Sequence, residues 1–325
     1  MLPIRSADEE AVPPLVVAAP PAPVPSSPAI HTQGLHKRYG HTVAVKSFSI
    51  TVGRGEVFGF LGPNGAGKTT MVKMLLGLVR PTGGEGMVLG APIGDREARR
   101  KVGYLPELFR FQPWLTAREV LVLHCRLLSL PKRSWGSAVD GSLEIVGLAD
   151  RSDDKLGGFS KGMQQRLGLG VALLGEPDLV ILDEPTSALD PVGRHDVRQI
   201  TRDLRARGAT VFLNTHLLEE AQLVCDRVAV IDKGTAIATG SLAELLGDHA
   251  RVRLRVKGLP DGWWRQPSLG GDWASEGEWV TVAGIDQAGV PDLVARIVAQ
   301  GGRIEAVIPE QQSLEDRFLE LLGEQ

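Results

Sequence analysis

Glu56-Val57-Phe58-Gly59-Phe60-Leu61-Gly62-Pro63-Asn64-Gly65-Ala66-Gly67-Lys68-Thr69-Thr70-Met71-Val72-Lys73-Met74-Leu75-Leu76-Gly77 is the stretch that decides the fold. Val57, Phe58, Phe60 and Leu61 form a short apolar run bounded by glycines, which predicts a buried strand. Gly62 to Thr69 follows at once and fits G-x-x-x-x-G-K-[ST] without a mismatch. From Thr70 to Leu78, Met71, Met74, Leu75 and Leu78 recur at helical spacing. Strand, glycine loop and helix together make a phosphate site. The glycines let backbone N–H groups close round a phosphate without Cβ obstruction, and the helix N-terminus adds a favourable dipole. Lys68 can reach the β- and γ-phosphates, and the Thr69 hydroxyl can ligate Mg²⁺. Gly62, Pro63, Asn64, Gly65, Ala66, Gly67, Lys68, Thr69 and Thr70 are the candidate nucleotide-binding residues. A glycine-rich turn with a chance lysine would account for neither the strand nor the helix.

At 325 residues the chain has room for one large or two modest domains. A formal charge of −3 offers no global basic field for nucleic acid. Cys125 and Cys225 lack metal-type spacing and read as free thiols of a reducing compartment. No run approaches the roughly 18–20 apolar residues that span a bilayer, so action at a membrane would need another chain to do the spanning.

Residues 1–29 hold Pro3, Pro13, Pro14, Pro20, Pro21, Pro23, Pro25 and Pro28. That density excludes helix and sheet and predicts a disordered, extended tail. The prolines, and Asp8, Glu9 and Glu10 ahead of the apolar part, argue against a signal peptide. Short β-like segments with turns at Gly40 and Gly53-Arg54-Gly55 predict antiparallel strands leading into the phosphate strand. Tyr39 lies among them, either a half-buried strand-end tyrosine or an aromatic platform for adenine. Beyond the phosphate helix, strands are predicted at Glu85–Gly90, Val102–Leu105, Asp178–Leu182, Thr210–Asn214, Arg227–Ile231 and Ala236–Thr239. Helices are predicted over Thr116–Leu130, with Thr116 and Glu119 as a capping box, and over Trp135–Leu148, Phe159–Leu174, Pro191–Arg207, Glu219–Val224 and Ser241–Leu246. This alternation means a layered α/β core. Composition shifts at Gly247, and residues 247–325 read as a small α+β unit whose tryptophans pack a core or, alternatively, form a stacking surface.

Asp183-Glu184 closes the apolar run Leu179–Leu182. A carboxylate at the end of a buried strand can hold Mg²⁺ directly or through water. The neighbouring Glu184 points to the other side and could polarise an attacking water. His216, at the end of the next candidate core strand, could contact the γ-phosphate and help place that water.

In this order the motifs resemble the ATP-binding-cassette (ABC) family over about residues 30–245. Tyr39 matches the adenine-stacking aromatic, Gly62–Thr69 Walker A, and Leu179–Glu184 Walker B with the catalytic glutamate. Phe159–Gln165 matches the signature, Ser187–Asp190 the D-loop and His216 the switch histidine. The resemblance implies an α/β P-loop ATPase core with an antiparallel β subdomain and a helical subdomain in residues 30–246, plus the small C-terminal domain. It implies ATP and Mg²⁺, with Lys68, Glu184 and His216 catalytic and Thr69, Asp183 and Glu107 at the metal. It also implies a homodimer in which Ser160 and Gly162 contact the γ-phosphate across the interface. The partner that the resemblance implies is a separate transmembrane permease, with membrane contact indirect, the protein peripheral on the cytoplasmic face and no nucleic acid expected.

Two residues depart from the family pattern. Lys161 replaces a glycine of the signature, and Glu107 stands where glutamine is usual. With Tyr104–Glu107 and Ser160–Arg166, the tail Pro309–Leu322 resembles the branch exporting drugs, sodium, lipids or factors for nitrous oxide reductase maturation. A soluble ABC ATPase acting on ribosomes or nucleic acid is the alternative, weakened by the single cassette and the lack of sustained heptads. An ATP-gated binding module with little turnover is a third reading, opposed by Glu184 and His216. Phe109, Phe111 and Trp114, between Pro106 and Pro113 or beside them, are expected either in the local core or at a permease contact.

Overall fold

Alternating strands and helices with both faces of the sheet covered follow from continuous apolar strands, and the computed structural model has this arrangement. It describes residues 27–187, 189–246, 250–266, 269–285, 287–311 and 313–323. Nearly all of the tail and the linker at Gly247-Asp248 therefore lie outside the described residues, as does Ala188.

The chain opens with β1 (Ile30–Tyr39), β2 (Thr42–Val52), β3 (Val57–Leu61), α1 (Lys68–Leu75), β4 (Gly83–Val88), β5 (Ala91–Pro92), α2 (Arg96–Arg100) and β6 (Val102–Leu105). A run of helices follows, α3 (Ala117–Leu127), α4 (Trp135–Ile145) and α5 (Lys161–Leu173). Then come β7 (Leu179–Asp183), α6 (Pro191–Ala206), β8 (Thr210–Thr215), α7 (Leu218–Val224), β9 (Arg227–Asp232), β10 (Thr235–Ser241) and α8 (Leu242–Leu246). The last part holds β11 (Ala250–Lys257), β12 (Asp272–Glu276), β13 (Trp279–Ala283), α9 (Val290–Ala299), β14 (Arg303–Gln311) and α10 (Leu314–Gly323).

Among the described residues the large sheet runs β5-β4-β1-β2-β10-β9-β3-β8-β7-β6. Its β1, β2, β4 and β5 pair antiparallel. The strands β9-β3-β8-β7-β6 pair parallel. Alternate residues of the central strands feed two cores. Val57, Leu61, Val180, Leu182, Val211 and Leu213 face α3 to α7. Phe58, Phe60, Ile181 and Phe212 face α1 with Met71, Met74 and Leu75. Burying each such side chain is worth about 1.5–3 kcal/mol.

The predicted phosphate helix stops earlier than its spacing suggests. Gly77 adopts φ +68, and Leu78 N–H bonds back to the Lys73 carbonyl at 2.9 Å. This left-handed cap ends α1 and leaves Leu78 exposed. The capping box at Thr116 and Glu119 forms as predicted. Three elements were not foreseen from the sequence, the two-residue β5 among them. In α2 there is no apolar stripe, only an Asp95 cap on Ala98 N–H, and β12 is mostly exposed.

The smaller antiparallel sheet runs β12-β13-β11-β14. Trp263, Trp264 and Trp273 join its core, whereas Trp279 lies under Arg253 and Arg255 at 4.7 and 5.2 Å. Its α10 returns to the large unit. Leu314 is buried in the first core, and its N–H donates to Gln222 of α7 at 2.9 Å.

Candidate functional site

Four neighbouring parallel strands, β3, β8, β7 and β6, end at the same sheet edge. Whatever follows each strand therefore converges there. After β3 comes the glycine loop, after β8 His216, at the end of β7 Asp183 and Glu184, and two residues beyond β6 Glu107.

The loop is wedged between strands. A Cβ on Gly67, at φ +102, would lie 2.4 Å from the Ala44 carbonyl oxygen of β2, so only glycine fits. Gly234 N–H, in the β9–β10 turn, donates to Ala66 O at 3.0 Å. Gly67 is also the N-cap of α1, with no side-chain cap and no acid in the first turn. An uncapped helix start led by a lysine is unfavourable for a helix alone and suited to an anion. Lys68 Nζ donates to Gly62 O at 2.6 Å and Pro63 O at 3.3 Å. Burial pushes the Lys68 ammonium down from its ordinary value, against the negative charges of Glu184, Asp183 and Glu107.

Asp183 is buried, as is its cross-strand partner Asn214. The Asn214 amide donates to Asp183 Oδ1. Burial pushes the Asp183 carboxyl up, the Asn214 hydrogen bond opposes this, and the charges of Glu107 and Glu184 add to the rise. Tyr104 of β6 is pushed up to about 12 by burial, then by the charge of Asp183 and a hydrogen bond to it. Glu184 has φ +52, and its N–H donates to Asn214 O at 2.8 Å. Its Oε1 lies 2.8 Å from His216 Nδ1, and its Oε2 accepts from Thr215 Oγ1 at 3.3 Å.

The charges of Asp183 and Glu107 act on each other, Thr69 lies in the first turn of α1, and Asn214 Oδ1 is buried with no hydrogen-bond partner among the described residues. Among the described residues no three or more His, Cys, Asp or Glu make a complete metal cage. That donor set fits Mg²⁺, which takes one or two carboxylates together with substrate phosphates.

Tyr39 stands at the exposed end of β1, with Lys37 Nζ 4.9 Å from its ring centre. Ser160 is not part of the convergence. It is exposed, caps α5 and accepts from Met163 N–H at 3.2 Å. Gly162 sits beside Leu189. Among the described residues neither hydrogen-bonds to the loop. Gln165 of the same helix ties it to the segment after Glu184, donating to Pro185 O at 3.1 Å. The Phe109 and Phe111 rings lie 5.2 Å apart, tilted at 58°, and pack on the first core, while Trp114 is 65% exposed and Leu108 86%. Sequence reasoning gave Asn214, Thr215 and Tyr104 no role in the site. A polar residue closing the apolar run Thr210–Asn214 was the available signal.

A family model described as "ABC transporter" matches residues 45–187. An uncharacterized ABC transporter ATP-binding protein of Nostoc sp. (strain PCC 7120) is 39% identical over 294 residues, spanning 87% of this chain and 84% of that protein. The chain belongs to the ABC transporter ATP-binding proteins. This ABC ATPase is also 40% identical over 226 residues to the Nod factor export ATP-binding protein I of Rhizobium sp. (strain N33), covering 69% of the chain and 74% of the relative. Among solved structures it resembles the dimeric post-hydrolysis state of the ATP-binding cassette MJ0796 bound to ADP and Pi. That match has a TM-score of 0.60 and 26% identity, over 66% of this chain and 98% of that one. The ABC ATPase has, among its described residues, no helix long and apolar enough to cross a membrane.

Proposed function

We propose that this chain is the ATP-hydrolysing subunit of an exporter, working as a homodimer on the cytoplasmic face of the membrane beneath a separate permease. The convergence of Lys68, Asp183 and the Glu184–His216 pair at one sheet edge carries the chemical half of this reading. The likeness to Nod factor export proteins supports the export half. Residues 30–246 are the nucleotide-binding unit, 247–325 an accessory unit and 1–29 a tail.

In this reading the loop N–H groups from Gly62 to Thr70 and the Lys68 ammonium hold the phosphates, and Tyr39 stacks on adenine. Thr69, Asp183 and Glu107 hold Mg²⁺, which supplies charge neutralisation at the phosphates when bound. Glu184 accepts a proton from the attacking water, and His216 orients Glu184. Ser160 and Gly162 complete the site of the opposite protomer. Trp114 and Leu108 offer the exposed apolar surface for the permease. Purification from membranes with whatever membrane protein accompanies the chain, followed by an ATPase assay, tests this. Co-purification with stimulated turnover is the expected result, whereas recovery on ribosomes or nucleic acid overturns it.

A further inference from the structure

Asp183 is held from both neighbouring strands, by Tyr104 of β6 and by Asn214 of β8. Asn214 is 1% exposed. Its amide N–H donates to Asp183 Oδ1, and among the described residues its own Oδ1 has no hydrogen-bond partner. Reversing the amide would set two acceptor oxygens against each other, so the chemistry fixes which end faces the carboxylate. Buried carbonyl oxygens are nearly always paired. Here the unpaired one belongs to the residue that orients the principal buried carboxylate of the site.

We infer that Asn214 is a positioning residue for the divalent cation that accompanies the nucleotide. One end of its amide locks the Asp183 carboxylate in place. The other end accepts a hydrogen bond from a water of the hydrated cation. The inference rests on the nucleotide-and-metal reading above. Magnesium keeps several of its waters when bound, so a donor suited to Asn214 Oδ1 arrives with the ion. Groups that orient a metal's ligands typically change metal affinity by about ten- to hundredfold when removed. The same β8 end treats the next carboxylate similarly, since Thr215 and His216 both bond to Glu184. Successive residues of one strand thus hold the two successive acids of its neighbour.

The test uses the purified full chain and a fluorescent N-methylanthraniloyl ADP, titrated with excess Mg²⁺ and again with EDTA. Asn214→Leu removes both ends of the amide at similar volume. The expected result is a loss of about ten- to hundredfold in the Mg²⁺-dependent gain in affinity, with metal-free affinity within about twofold of wild type. An undiminished gain overturns the inference, and so does an equal fall in both affinities, which a merely structural asparagine would produce. Should Asn214→Leu fail to fold, Asn214→Ala removes the same groups without bulk and is held to the same outcomes. A wild-type chain that binds no nucleotide, or gains nothing from Mg²⁺, overturns the parent reading as well. A wild-type gain that survives in the variants overturns this inference alone.

Discussion

His216 Nδ1 lies 2.8 Å from Glu184 Oε1, although the residues are 32 positions apart. Neighbouring strands bring them together. β7 and β8 run parallel with Asp183 opposite Asn214, so the next residues of each chain meet just past the sheet edge. Glu184 turns there with φ +52, a backbone that costs a non-glycine residue about 1–3 kcal/mol. The hydrogen bond of its N–H to Asn214 O holds that turn. With the carboxylate accepting, the imidazole carries its proton on Nδ1.

Glu184→Gln keeps the shape but removes the base. Steady-state ATPase should fall about 10²–10⁴-fold while nucleotide binding persists, and size-exclusion with ATP should show a trapped dimer. Unchanged turnover would remove Glu184 from the chemistry. Lys68→Ala, by contrast, should lose binding itself, measured by the same fluorescent nucleotide.

Asp183 carries a stability cost with a definite sign. Its carboxyl is raised above its ordinary value of 3.8, chiefly by burial, so the folded chain keeps this proton to higher pH than the unfolded one. The group's stabilisation is full below the unfolded value and is lost as pH rises through the raised folded value. At neutral pH Asp183→Asn should therefore raise the melting temperature of the nucleotide-free protein, each kcal/mol being worth roughly 2–4 °C. The gain should shrink on acidification. A lower melting temperature at pH 7 would contradict this account.

Ser160 is exposed and spends its hydroxyl on its own helix, so a shared site predicts a particular failure. Ser160→Arg should bind nucleotide normally as a monomer yet form no ATP-driven dimer, seen by light scattering. Wild-type hydrolysis in this variant would show that each chain works alone.

The aromatic segment divides by burial. Phe109 packs against Gly168, where an added Cβ would come within 2.7 Å of its ring. Phe109→Ala should lower the melting temperature, through a loss on the order of 1–3 kcal/mol for a partly buried ring. Trp114→Ala should leave folding and basal ATPase intact and reduce recovery with the permease. If Trp114→Ala instead melts early, its ring belongs to the fold.

By itself the sequence determined the strand–loop–helix at Glu56–Gly77, the apolar strand ending in Asp183-Glu184 and the helix cap at Thr116. These features are local. Periodicity, glycine placement and capping chemistry act within a few residues, so they are legible without the rest of the chain. Only the tertiary structure decided that β3, β8, β7 and β6 lie side by side, because strand order depends on crossovers that local pattern does not encode. From that order come the pairing of Glu184 with His216 and the hold of Asn214 on Asp183. It likewise decided that Phe109 and Phe111 face inward while Trp114 does not, since all three share one composition and differ only in what packs against them.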